Sequence, residues 1–296
     1  MGIGRGETHI NSLPPLQGDP SQDSPGFLRR LSRAGAHALR ATLLASDIST
    51  LRAIWRLQRP GNEQGALVPL RIRQLGGETV WVREGTTDIV TVTAAFLEGR
   101  HRPAGHERTG LIWDIGANVG MTMRDLAHRY PEAQVVGVEM DPDNAAVAIR
   151  NVAACGGRCE VVQAAASPSP GVVRYALQKG AEAEGQLDSG GELTATAVTL
   201  DQLAQRTGAP DFVKFDVEGA ERDLLRSGTG WAADVGQITV EIHEPQYSTA
   251  ECRRDLEALG FAVSIRRRSR LKRQTLDTAV GVREQTDATG PATARD

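Results

Sequence analysis

One stretch governs what this chain can fold into: an apolar run, Leu111 to Ile115, that passes directly into the turn Gly116-Ala117-Asn118-Val119-Gly120 and then into a helix. Val119, Met123, Leu126, Ala127 and Tyr130 fall on one face of that helix, while the run before it has the length of a buried strand. The same alternation continues downstream. Gln134 to Glu139 reads as a second strand, and Asp141-Pro142 supplies the N-cap and first-turn proline of its helix, closed by Gly156-Gly157. Glu160 to Gln163, Asp211 to Asp216 and Gln237 to Ile242 read as further strands. Strands separated by helices lie parallel with both faces covered, so the expected class is α/β. Ser248-x-x-Glu251 is a capping box for a last helix ending at Gly260, followed by a strand pair, Phe261 to Ile265 and Thr278 to Val282.

With 296 residues there is room for one large α/β domain with additions. Residues 1–26 carry Pro14, Pro15, Pro20 and Pro25 among Gly, Ser and Asp, a composition expected to stay disordered. Apolar residues from Phe27 to Gln58 recur at helical spacing and predict one or two amphipathic helices. Leu67 to Leu75 and Glu78 to Glu84, joined by Gly76-Gly77, predict a hairpin, and Asp88 opens a short helix ending at Gly99. These boundaries give an arm (1–26), an N-terminal extension (27–107), a main domain (108–283) and a polar tail (284–296).

The formal charge of -3 does not call for nucleic acid or a membrane surface as partner. No apolar run reaches the roughly 18 residues that a spanning helix needs, and the polar N-terminus lacks a signal-peptide core, so a cytoplasmic location is expected. Three cysteines in so long a chain do not make a disulfide framework, and Cys155 and Cys159 are expected to be inert thiols beside a glycine turn. The run 266–273 is read as a solvated basic loop, the alternative being a patch for an anionic substrate.

Glycine at a strand-to-helix turn lets the backbone approach a ligand, and the helix N-terminus points at it. About 20 residues on, Glu139 ends the second strand, where an acidic side chain can accept both hydroxyls of a ribose. A dinucleotide fingerprint is missing, since Asn118 replaces its second glycine and the third falls one position early. A nucleoside without a pyrophosphate fits better. In the string Lys214-Phe215-Asp216-Val217-Glu218-Gly219-Ala220-Glu221, Lys214, Asp216 and Glu218 alternate onto one side at a strand end. They form either an ion-pair cluster or a site, and strand ends hold ligands in this class. Glu221 reads as an acidic first-turn residue of the next helix. Glu241 and His243 end the fifth strand two apart, and an imidazole is suited to accept a proton near neutral pH.

Asp114 to Gly120, Val138-Glu-Met-Asp-Pro142, Val198-Thr-Leu-Asp201, Phe212 to Glu221 and Val240-Glu-Ile-His243 together resemble the FkbM family of S-adenosylmethionine-dependent methyltransferases. Arg83-Glu-Gly-Thr-Thr-Asp88 is similar to the segment preceding the nucleoside motif in that family, so the resemblance runs from about Arg83 to Phe261. It implies a class I methyltransferase sheet, Rossmann-like, of seven strands with the last one antiparallel. It also implies methyl transfer to a hydroxyl of a sugar or natural product. Asp114, Gly116, Asn118, Gly120, Glu139, Met140 and Ala164 are then the expected cofactor-binding positions. The expected catalytic group is His243, Asp216, Lys214 and Glu218, with His243 or Asp216 as base. A magnesium ion held by Asp216 and Glu241 would serve the same end. N-methylation of a peptide, a NAD-dependent oxidoreductase and a non-catalytic binding module remain the competing readings.

Overall fold

The computed structural model describes residues 35–58, 65–103, 109–178, 181–188, 190–267 and 277–283. The arm, the tail and most of the basic run 266–273 lie outside the described residues. The chain enters through two helices, α1 (35–44) and α2 (Ile48–Leu57), with Asp47 capping α2 by accepting the Thr50 N–H. Next come β1 (Leu67–Ile72) and β2 (Glu78–Arg83), which pair antiparallel. Their turn is longer than a two-residue hairpin: a single 3₁₀ turn, Arg73–Leu75, precedes Gly76 and Gly77, both at positive φ. Helix α3 (Asp88–Thr93) continues as a π turn to Glu98 and stops at left-handed Gly99. The alternation of β1 and β2 drives Val68, Leu70, Ile72, Val80 and Val82 inward, where they share one apolar cluster with Leu44, Ile54, Val119, Met121 and Val147. The N-terminal extension is therefore packed onto the glycine turn and its helices.

The main domain runs β3 (Leu111–Ile115), α4 (Met121–Arg129), β4 (Gln134–Glu139), α5 (Pro142–Val152) and β5 (Cys159–Gln163). Asp141 caps α5 with Pro142 in its first turn, as its sequence predicts. Four strands then depart from the predicted alternation: β6 (Ala165–Ala166), β7 (Gly171–Gln178), β8 (Ala181–Leu187) and β9 (Leu193–Val198) form a second sheet in the order β6-β9-β7-β8. No strand is expected from the sequence between Gln163 and Asp211. Helix α6 (Leu200–Thr207), β10 (Phe212–Phe215), α7 (Glu221–Arg226), β11 (Gln237–Ile242), α8 (Thr249–Ala258), β12 (Ala262–Arg266) and β13 (Asp277–Val282) complete the chain.

The central sheet has the order β12-β13-β11-β10-β3-β4-β5. β11, β10, β3, β4 and β5 are mutually parallel, and β13 is antiparallel to both of its neighbours. This is the predicted α/β architecture, a Rossmann-like class I methyltransferase sheet with its last strand reversed. Strand order reverses between β3 and β10, so their carboxyl ends open a crevice at the switch point. One face of the sheet is filled by Trp113, Phe215 and Trp231, whose rings pack with centroids 6.4 Å and 5.6 Å apart.

Candidate active site

The glycine turn is held at the crevice by the neighbouring strands. Gly116 and Ala117 donate their N–H groups to the Val138 carbonyl at 3.0 and 2.9 Å. At Gly116 a Cβ would fall 1.8 Å from the Asp216 carbonyl oxygen, so only glycine lets β10 close this tightly on the turn. Asn118 takes φ 49°, a left-handed conformation that asparagine tolerates, and donates its N–H to Glu139 Oε2 at 2.8 Å. The other Glu139 oxygen accepts the Asp141 N–H at 2.9 Å. Burial pushes the Glu139 carboxyl up, and these two hydrogen bonds pull against it. The Asn144 side chain bonds the same carboxylate and also lowers it.

A cleft of about 570 Å³, open to solvent, lies over this turn. Gly116, Asn118, Glu139, Met140 and Ala164 line it, together with Val138, Leu187 and residues of the β10 end. Two predicted cofactor positions sit behind its wall. Asp114 is fully buried below the turn, and Gly120 begins α4 with the Ala148 backbone 3.1 Å from where its Cβ would stand.

Lys214, Asp216 and Glu218 do converge. The Lys214 ammonium donates to the Gly116 carbonyl at 2.9 Å and lies 2.9 Å from Asp114 Oδ1 and 3.5 Å from Asp216 Oδ2. Burial alone would lower this amine, but Asp114 and Asp216 hold it above its ordinary value. Asp216 lines the first cleft and also a second one of about 700 Å³, as do Gly116 and Asn118. Thr91, Glu98, Arg100, His101, Thr122 and Glu241 give the second cleft a polar wall.

His243 lies among carboxylates. Its Nδ1 is 2.7 Å from Glu221 Oε1, and its Nε2 is 3.3 Å from Glu218 Oε2 and 3.6 Å from Asp216 Oδ1. Burial would lower the imidazole; the hydrogen bond to Glu221 and the charges of Asp216 and Glu218 override it and raise its pKa to about 10. These carboxylates favour the protonated ring, which makes His243 a weaker candidate than Asp216 for the base expected from sequence. Glu221 is fully buried and also accepts the Val217 N–H, so it orients His243 rather than merely complementing a helix dipole.

The magnesium expected between Asp216 and Glu241 does not fit this arrangement. The Lys214 ammonium lies 3.5 Å from Asp216 and is also acted on by the Glu241 charge, so the two expected ligands already face a cation. Among the described residues, the donor atoms that come within 4.8 Å of one another belong to Asp216, Glu218 and His243. An imidazole in that set suits a hard, oxygen-seeking cation poorly.

Sequence reading missed His101. Its Nε2 is 2.9 Å from Asp125 Oδ2, and both Arg102 and Arg129 also bond Asp125, which is held down at about 2 against the effect of burial. No motif marks this histidine; the signal is its pairing with a residue 24 positions away. The Arg83 to Asp88 segment was legible: Arg83 bonds Asp88 at 2.9 and 3.0 Å and reaches Asn144 of α5 at 2.6 Å, tying it to the cofactor side of the sheet.

Residues 114–263, half of the chain, match the Methyltransferase FkbM domain. The chain belongs to this family. It is 26% identical over 140 residues to the hexuronic acid methyltransferase AglP of Haloferax volcanii, a match covering 46% of this chain and 57% of that protein. Among solved structures it is similar to an O-methyltransferase family protein from Burkholderia thailandensis (14% identity, TM-score 0.42, 68% of this chain and 60% of that one). It is likewise similar to the magnesium protoporphyrin IX methyltransferase of Synechocystis with bound SAM (16% identity, TM-score 0.37, 66% and 77%). Among the described residues of this FkbM-family chain, no helix is long and apolar enough to cross a membrane.

Proposed function

We propose that the protein is a methyltransferase that uses S-adenosylmethionine to methylate a hydroxyl of a sugar or similarly polar small molecule. The observation that carries this reading is the meeting of two clefts at Gly116, Asn118 and Asp216. The first sets Val138, Met140 and Ala164 beside the Glu139 carboxylate, which suits a purine and its ribose. The second, with Glu98, Arg100, His101, Thr122 and Glu241 among apolar neighbours, offers donors and acceptors to a hydroxyl-bearing acceptor. A family relative named for a hexuronic acid supports the same acceptor class.

The donor fits the charge of the junction. Asp114, Asp216, Glu218, Glu221 and Glu241 outweigh Lys214 and His243, an excess that favours a sulfonium cation. When bound, the sulfonium supplies an electrophilic methyl group. Asp216, common to both clefts, takes the acceptor's proton as the new C–O bond forms, a contribution of about 10²- to 10⁴-fold for a positioned base. Lys214 and His243 fix its carboxylate from either side, and holding the reacting groups in line contributes most of the remaining rate.

The test is transfer of labelled methyl from S-adenosylmethionine to a panel of sugars, uronic acids and peptides. Methyl ethers on the sugars are expected. Label found only on peptide nitrogen would replace the acceptor class, and no transfer together with no donor binding would refute the proposal.

A further inference from the structure

At the amino end of β5, away from the strand carboxyl ends that hold both clefts, two cysteines flank a turn. Residues Ala153–Arg158 link α5 to β5, and Gly156 at φ 65° and ψ -154° reverses the chain between Cys155 and Cys159. Nothing lies within 4 Å of a Cβ built on Gly156 or Gly157, so the turn faces solvent, and both cysteines are half-buried. Cys155 and Cys159 stand on either side of this reversal, near enough for each thiol to shift the other's titration. From α4, Arg124 Nη1 approaches the same sulfur at 3.0 Å. That guanidinium is 2% exposed, and its other terminal nitrogen pairs with Glu78. Arg124 takes no part in the site above.

We infer that Cys155 and Cys159 form a peroxide-reactive dithiol that closes to a disulfide. Cys155 is the attacking sulfur. The neighbouring Cys159 thiol, the Arg124 contact and the charges of Arg124 and Arg158 bring its thiol down to about 6, whereas Cys159 is pushed up. The Cys155 thiolate attacks hydrogen peroxide, the O–O bond breaks, and with one proton taken up the products are a Cys155 sulfenic acid and water. Cys159 then displaces the sulfenic oxygen, which leaves as a second water with the Cys159 proton, forming the S–S bond. Two electrons pass from the two sulfurs to the peroxide. The remaining cysteine offers the contrast: Cys252 is fully buried and its thiol is pushed up to about 12.

The experiment uses the full reduced chain and hydrogen peroxide at pH 7, followed by alkylation and mass spectrometry. The expected product is 2 Da lighter, with a cross-link between the peptides carrying Cys155 and Cys159 and with Cys252 still reduced. Without peroxide, the rate of Cys155 alkylation should rise with a midpoint near pH 6. In Cys159→Ser the expected product is a Cys155 sulfenic acid captured by dimedone. A midpoint at pH 8.5 or above, or peroxide oxidation that leaves Cys155 and Cys159 alkylatable, overturns the inference on the unmodified chain, without recourse to a variant.

Discussion

Nδ1 of His243 lies 2.7 Å from Oε1 of Glu221, a carboxylate with no exposed surface, and this contact, with the charges of Asp216 and Glu218, raises the imidazole against its burial. Because the folded pKa of about 10 stands above the ordinary histidine value, the stabilisation is fully present below about pH 6.5 and is lost as pH rises toward 10. Proton-detected titration of the ring should give a midpoint far above neutral, moving down in Glu221→Gln. A midpoint near 6.5 in the unmodified protein would return His243 to the role of base.

Lys214 binds three groups at once, the Gly116 carbonyl, Asp114 and Asp216. Removing its charge leaves Asp114 buried and unpaired, so Lys214→Met should destabilise the fold by about 3 to 5 kcal/mol, read as a shift in denaturant midpoint. A loss under 1 kcal/mol would mean that the pair contributes little to holding β3 against β10.

Gly116→Ala has no place to put its methyl group, which would meet the Asp216 carbonyl oxygen at 1.8 Å and would also impose a strained positive φ. Displacing β10 from the turn should cost at least about 1 to 3 kcal/mol and abolish measurable donor binding. Melting and calorimetry check both. Retained affinity in a folded Gly116→Ala protein would separate the turn from the cofactor.

Asp216→Asn should keep the fold and the affinity for S-adenosylmethionine, and lower turnover with a methyl-accepting sugar at least about 100-fold. Unchanged turnover per folded molecule would reduce Asp216 to a member of the ion-pair network.

The central sheet was legible because its strands are short apolar runs closed by local signals: the glycine turn, the Asp141-Pro142 cap and the Ser248 capping box. The second sheet was not. Ala181-Glu-Ala-Glu-Gly-Gln-Leu187 alternates polar residues with small ones of low strand propensity, so its pairing with β7 depends on the tertiary context. At the site, Lys214, Asp216, Glu218 and His243 were found because two-residue spacing at strand ends fixes their side. What spacing cannot give is the sum of charges around a group. His243 was read as a base from its residue type, and the three carboxylates around it, all within residues 216–221, favour its protonated form. His101 and the Arg124–Cys155 contact depend in the same way on partners distant in sequence.

The account rests most on Glu139, held by the N–H groups of Asn118 and Asp141 in the lining of the first cleft. Isothermal calorimetry of S-adenosylmethionine against the unmodified protein and Glu139→Ala tests it directly, with NAD as the competing ligand. The account predicts binding of S-adenosylmethionine, a loss of about 1 to 3 kcal/mol in Glu139→Ala, and no heat from NAD. Binding of NAD with none of S-adenosylmethionine, or an affinity for S-adenosylmethionine untouched by Glu139→Ala, would contradict it.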